Sequence, residues 1–66
     1  MSFSTANKAM YLYFTNNSCE ALAFIFEFAK RIVVCGNITT ITFEDDSGVR
    51  CYFDTDDTLV HVEITH

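Results

Sequence analysis

Carboxylates are the groups on this chain with the most to offer chemically, and they are unevenly placed. Seven of the nine acidic residues fall between positions 44 and 63: Glu44-Asp45-Asp46, Asp54 with Asp56-Asp57, and Glu63. Only Arg50 opposes them there, so the stretch is strongly anionic while the rest is close to neutral, and the whole chain carries −5. Adjacent carboxylates such as Asp45-Asp46 do acid–base work when burial or crowding moves their pKa values. In exposed turns they are expected to keep ordinary values. Other catalytic arrangements are missing. Ser2, Ser4, Ser18 and Ser47 stand in no nucleophile-elbow context. Cys51 and His61 fall on neighbouring predicted strands, but alternation sends them to opposite faces, which denies the thiol a base. The sequence therefore predicts no enzyme.

Metal ligation has little support either. Cys19, Cys35 and Cys51 form no CxxC pair, and His61 and His66 lack zinc-site spacing. Asp54-Thr55-Asp56-Asp57 is similar to the start of a calcium loop, yet Leu59 and Thr65 stand where that loop needs glycine and glutamate. No metal or cofactor is expected. Three scattered cysteines do not make a disulfide framework, so they read as reduced, half-buried small apolar residues of a cytoplasmic protein. No secretory signal is evident at Met1, and no apolar run approaches a membrane span.

The elements that position the carboxylates follow from hydrophobic period. Sixty-six residues make one domain, with residues 1–8 read as loose. Half of the residues are apolar, including seven Phe and three Tyr, which opposes disorder. Residues 9–15 alternate Met10, Leu12 and Phe14 with Tyr11, Tyr13 and Thr15, the period of a strand. Asn17 is placed to cap a helix over about 18–34, with Glu20 as its capping-box partner, Glu27 paired to Arg31, and Gly36 as a left-handed terminator. Phe24 falls beside the charged arc and is the helix residue expected to be exposed. Three strands then follow, at 39–44, 49–54 and 59–65. The first turn relies on Gly48 for positive φ. Ile41, Phe43, Val49, Cys51, Phe53, Val60, Val62 and Ile64 point inward.

The predicted fold is α+β in the order β-α-β-β-β: a four-stranded mixed, mostly antiparallel sheet with one helix packed on one face. Its open face is expected to carry Tyr11, Tyr13, Thr40, Thr42, Arg50, Tyr52, His61 and Glu63. Direct nucleic-acid binding is disfavoured, because phosphate neutralisation needs basic residues and this chain is acidic. Asp in tight turns is ordinary, and solubility accounts for part of the charge. The geometry adds something further. The two acidic turns fall at opposite ends of one strand, roughly 30 Å apart at the rise of an extended chain. Carboxylates along a stiff hairpin resemble the spaced charges of a DNA backbone and attract a cationic groove.

In size, acidity and helix-on-sheet layout the chain resembles the small anti-CRISPR proteins of phages and mobile elements. Glu44-Asp45-Asp46 and Asp54/Asp56/Asp57 carry the likeness, which is one of type and has no diagnostic motif. It implies an inhibitor that occupies the DNA-binding surface of a CRISPR effector, whose grip on DNA uses positively charged channels. The expected partner is thus a basic nucleic-acid-binding protein, with no membrane and a monomer as the working form. Asp45, Asp46, Asp54, Asp56 and Asp57 would carry the electrostatics, assisted by Glu44 and Glu63, with Tyr52 as an anchor. The alternative is an interaction or homo-oligomerisation module that uses its tyrosine-bearing open face or an outer strand.

Overall fold

The computed structural model describes residues 4–65. Two helices come first, α1 (Thr5–Thr15) and α2 (Ser18–Glu27). Four strands follow: β1 (Ala29–Cys35), β2 (Ile38–Phe43), β3 (Gly48–Phe53) and β4 (Leu59–Ile64). The strands lie side by side in chain order, and every neighbouring pair is antiparallel. The α+β class holds, but the mixed sheet and the single helix do not.

Segment 9–15 is helical, not a strand. Ala6 and Ala9 are fully buried, and Met10 and Tyr13 pack beside them. Positions 6, 9, 10 and 13 share one helical stripe, and that stripe rather than the two-residue alternation faces the core. Residues 4–8, read as loose, form the cap and first turn of α1, while Met1 to Phe3 lie outside the described residues. The first three N–H groups of the helix, which have no intrahelical partners, are all engaged. Thr5 N donates to Asp45 Oδ2, Ala6 N to Ser47 Oγ and Asn7 N to Ser4 Oγ, and Lys8 N to Ser4 O then opens the helical ladder.

The second helix ends seven residues earlier than predicted. Asn17 caps it as expected, accepting from Glu20 N at 2.9 Å. The Glu20 carboxylate instead takes the Asn16 side-chain amide at 2.7 Å. Beyond Phe28, Ile32-Val33-Val34 is a β-branched run that loses side-chain freedom in a helix and suits a sheet. Gly36, at φ 62°, is the first residue of the two-residue β1–β2 turn, not a helix terminator. Arg31 therefore sits on a strand, and its predicted helical pairing with Glu27 is lost.

Buried Ile25, Ile41, Phe43, Val49, Cys51, Leu59 and Val62 join Ala6 and Ala9 in one core between helices and sheet. Phe24 packs against this core, whereas Phe26 and Phe28 are half-exposed, the reverse of the expectation. On β4 only Leu59 and Val62 are buried. Val60 is bulged out of register and exposed, and Ile64 is partly exposed.

Gly48 matters for a different reason from the one expected. The positive φ in its turn belongs to Asp46. A Cβ on Gly48 would stand 2.9 Å from the Ile41 carbonyl oxygen and 2.6 Å from Thr65 Oγ1. The threonine can rotate away, but the carbonyl belongs to the β2 backbone. Gly48→Ala should therefore lower stability by about 1–3 kcal/mol, as other overpacked substitutions do. A chemical denaturation curve checks this, with a shifted midpoint as the expected result.

Candidate partner-binding site

The two acidic turns occupy opposite ends of β3, as the sequence implied, and all six of their acidic residues are exposed. The six residues of β3 separate them by about 20 Å at the rise of an extended strand, and the turns project beyond each end. Within each turn the carboxylates divide into those that build the loop and those that point away from it.

Asp45 builds the β2–β3 turn. Its Oδ2 accepts from Thr5 N at 2.8 Å and Thr5 Oγ1 at 3.0 Å. Its Oδ1 accepts from Ser47 Oγ at 2.5 Å and Ser47 N at 3.2 Å. One side chain thus ties the first turn of α1 to the hairpin, and its charge sits at the positive end of the helix. The Ser47 hydroxyl, then the Thr5 amide, hold the Asp45 carboxyl well below the usual carboxylate range. The ordinary value expected for an exposed turn is therefore corrected. Ser47 and Thr5 were not singled out from sequence. The Asp-x-Ser spacing, which suits a side-chain turn, was the available signal.

Asp54 builds the β3–β4 turn in a similar way. Its Oδ1 accepts from Asp56 N at 2.9 Å and Thr58 N at 3.0 Å, and backbone bonds from Asp54 N to Thr58 O and Asp57 N to Asp54 O close the loop. Asp46 and Asp57 occupy equivalent left-handed positions, at φ 67° and 61°. Few residues other than glycine adopt that conformation, and Asp and Asn are enriched among those that do. Asp46 also meets Lys30 Nζ at 3.4 Å, in an exposed pair that offsets its charge only weakly. Lys30 reaches Asp46 from β1, a pairing that the helix predicted over 18–34 does not imply. Glu44, Asp56 and Asp57 have no side-chain hydrogen-bond or ion-pair partner among the described residues.

Glu63 lies on the open face of the sheet inside its own network. Its Oε1 accepts from Tyr52 Oη at 2.7 Å and Arg50 Nη1 at 2.9 Å, and His61 Nε2 lies 3.7 Å from Oε2. The Tyr52 hydroxyl, with Arg50, lowers the Glu63 pKa. Tyr52 and Glu63 are thus brought together, but each occupies the other. Tyr11 and Tyr13 belong to α1, so the open face carries one tyrosine rather than three. Beside Tyr52 and Glu63 it carries Arg31, Val33, Thr40, Thr42, Arg50 and His61.

Cys51 points into the core while His61 is exposed on the other face, as alternation required. Burial pushes the Cys51 thiol up to about 11, which leaves it protonated and a poor nucleophile. Cys19 and Cys35 are exposed, not half-buried. Among the described residues no group of three or more His, Cys, Asp or Glu is placed to hold a metal ion, and no helix is long and apolar enough to cross a membrane. No protein-family model, curated protein or solved structure matches the chain.

These bonds set an acid dependence. Asp45 and Glu63 both have depressed pKa values when folded, so their contribution to stability is complete above the unfolded carboxylate range. It is lost as pH falls below about 4 and through the folded values. Acid unfolding should therefore begin near the ordinary carboxylate range and steepen below it. Asp45→Asn should flatten that steep limb in a pH series of melting temperatures. An unchanged limb would mean that Asp45 does not couple the helix to the hairpin.

Proposed function

We propose that the protein is a non-enzymatic inhibitor that presents its two acidic turns to a basic, nucleic-acid-handling partner and occupies a surface that would otherwise hold DNA. Its resemblance to small anti-CRISPR proteins makes a CRISPR effector complex the partner class to test first. The observation that carries the reading is the division of labour within the turns. Asp45 and Asp54 spend their oxygens on backbone and hydroxyl donors, which stiffens both loops. Asp46, Asp56, Asp57 and Glu44 stay exposed on those stiff loops. Charge held in place before binding avoids part of the ordering entropy that a flexible acidic tail would lose on contact.

This assignment narrows the acidic set. Glu44, Asp46, Asp56 and Asp57 form the contact group, and Asp45 and Asp54 are positioning residues. Glu63, tied to Arg50 and Tyr52, adds little. A buried protonated Cys51 with His61 on the opposite face supports a role without catalysis.

A plasmid-interference assay tests the reading. The chain is expressed in bacteria whose CRISPR system cleaves an incoming plasmid. Wild type should restore transformation, and the variant with Glu44→Gln, Asp46→Asn, Asp56→Asn and Asp57→Asn should not. Failure of the wild type to restore transformation against a panel of DNA-targeting effectors would contradict the proposal, as would equal restoration by the variant.

A further inference from the structure

The two edges of the sheet are not equivalent. On β4, Val60 bulges out of register, His61 and Glu63 sit on the open face, and the preceding turn carries Asp54, Asp56 and Asp57. Bulges and charge of this kind are how edge strands avoid pairing with other chains. On β1 the irregularity and both charges are confined to the start, at Lys30 and Arg31. From Arg31 to Cys35 the strand runs in unbroken register, and Ile32, Val33 and Val34 are 47%, 51% and 67% exposed. Nothing among the described residues pairs with its outer edge.

We propose that β1 is a homodimerisation edge, at which a second copy of the chain adds its own β1 antiparallel about a two-fold axis through Val33. This departs from the monomer expected from sequence and does not depend on the proposed function. The register follows from faces and charge. Ile32 lies opposite inward-facing Ile41, and Val34 opposite buried Thr39, so both belong to the helix-side face. Val33 lies opposite Thr40 on the open face. An axis at Val33 sets Ile32 against Val34 of the second copy, and both pairs then stay on the helix side. The valines at position 33 meet on the open face. The same axis sets Arg31 opposite Cys35 and Lys30 opposite Gly36, which keeps the like charges of the two copies apart.

Charge also selects this edge. In a chain of net −5, apposing the two β4 edges would bring the acidic turns together, whereas β1 is the strand that carries two cations and no carboxylate. The apolar area continues beyond the strand. Phe26 and Phe28, next to β1 in the chain, are 48% and 49% exposed. These two side chains alone leave about 200 Å² of aromatic surface to water. With Ile32, Val33 and Val34 the exposed apolar patch reaches a little over half of the roughly 800 Å² per partner of a specific interface, and the backbone hydrogen bonds of the paired edges add to it. Pairing would make an eight-stranded sheet and cover the strand most open to aggregation.

Sedimentation equilibrium on the full chain tests this, at low salt and at roughly 0.5 M, where surface charge is largely screened. Wild type should be a dimer at both. Val33→Lys, which sets two ammonium groups face to face on the axis, should be monomeric with an unchanged circular dichroism spectrum. A cross-linking pair keeps the test decisive should that variant fail to fold. In a Cys19→Ser, Cys35→Ser background, Val33→Cys should give a disulfide-linked dimer with diamide as the oxidant, and Val60→Cys on the other edge should not. A monomeric wild type, a dimer that persists in folded Val33→Lys, or cross-linking through position 60 instead of 33 would each overturn the proposal.

Discussion

Phe43→Ala should leave most of the chains unfolded at room temperature. Phe43 is fully buried and is the largest such side chain in the core. Truncating a buried phenylalanine costs about 3–5 kcal/mol. In a domain of this length a single core rarely supplies more than about 3–5 kcal/mol of net stability, so the loss matches the whole. The effect reaches the acidic turn as well as the core. The Phe43 backbone closes that turn, donating to the Ser47 carbonyl at 2.8 Å and accepting from Asp46 N at 3.0 Å. Phe26→Ala is the matched control, since that ring is half-exposed and should shift the unfolding midpoint far less. Urea unfolding of both variants by circular dichroism makes the comparison. Wild-type stability in Phe43→Ala would mean that the core does not anchor the hairpin.

Removing the charge of Glu44, Asp46, Asp56 and Asp57 together, as amides, should abolish tight partner binding without harming the fold. Asn tolerates the left-handed conformation of Asp46 and Asp57, and surface changes of this kind stay within about 0.5 kcal/mol. If each exposed carboxylate contributes about 0.5–1 kcal/mol at the contact, the four together account for about 2–4 kcal/mol. That corresponds to roughly a 30- to 1000-fold weaker Kd. The variant should also lose most of the salt dependence, because the steering charge is gone. Asp45→Ala should act differently, lowering the melting temperature by releasing the first turn of α1. Titration calorimetry against a captured effector, with a melting curve for each variant, separates the two roles.

The three C-terminal strands were legible because alternation runs through β2 and β3: Ile41 and Phe43 face one way, Thr40 and Thr42 the other, and Val49 and Cys51 repeat the pattern, while on β4 the bulge at Val60 breaks it. Segments where nearly every residue is apolar were not. Met10, Leu12 and Phe14 alternate with tyrosines, and both sets satisfy a strand. The deciding feature lay upstream, in Ala6 and Ala9, which extend a helical stripe through Met10 and Tyr13. Ala29 to Cys35 failed for a related reason. Its residues fit a helical arc, but three consecutive β-branched side chains before Gly36-Asn37 are a hairpin signal. The positions of the acidic turns survived both errors, since they depend only on β2, β3 and β4. Which carboxylates remain free did not follow from sequence, because the partners of Asp45 and Asp46 come from Thr5 and Lys30, in the two segments assigned to the wrong structure.

The decoy reading is tested most directly by competition for DNA. A fluorescently labelled duplex is bound to a purified CRISPR effector complex, and the wild-type chain or the four-amide variant is titrated in while anisotropy is followed. The account predicts that the wild type releases the duplex, that release weakens steeply as salt is raised, and that the variant leaves the duplex bound. Release by the variant at wild-type concentrations, or a duplex left undisturbed by the wild-type chain on an effector that it inhibits in cells, would contradict it.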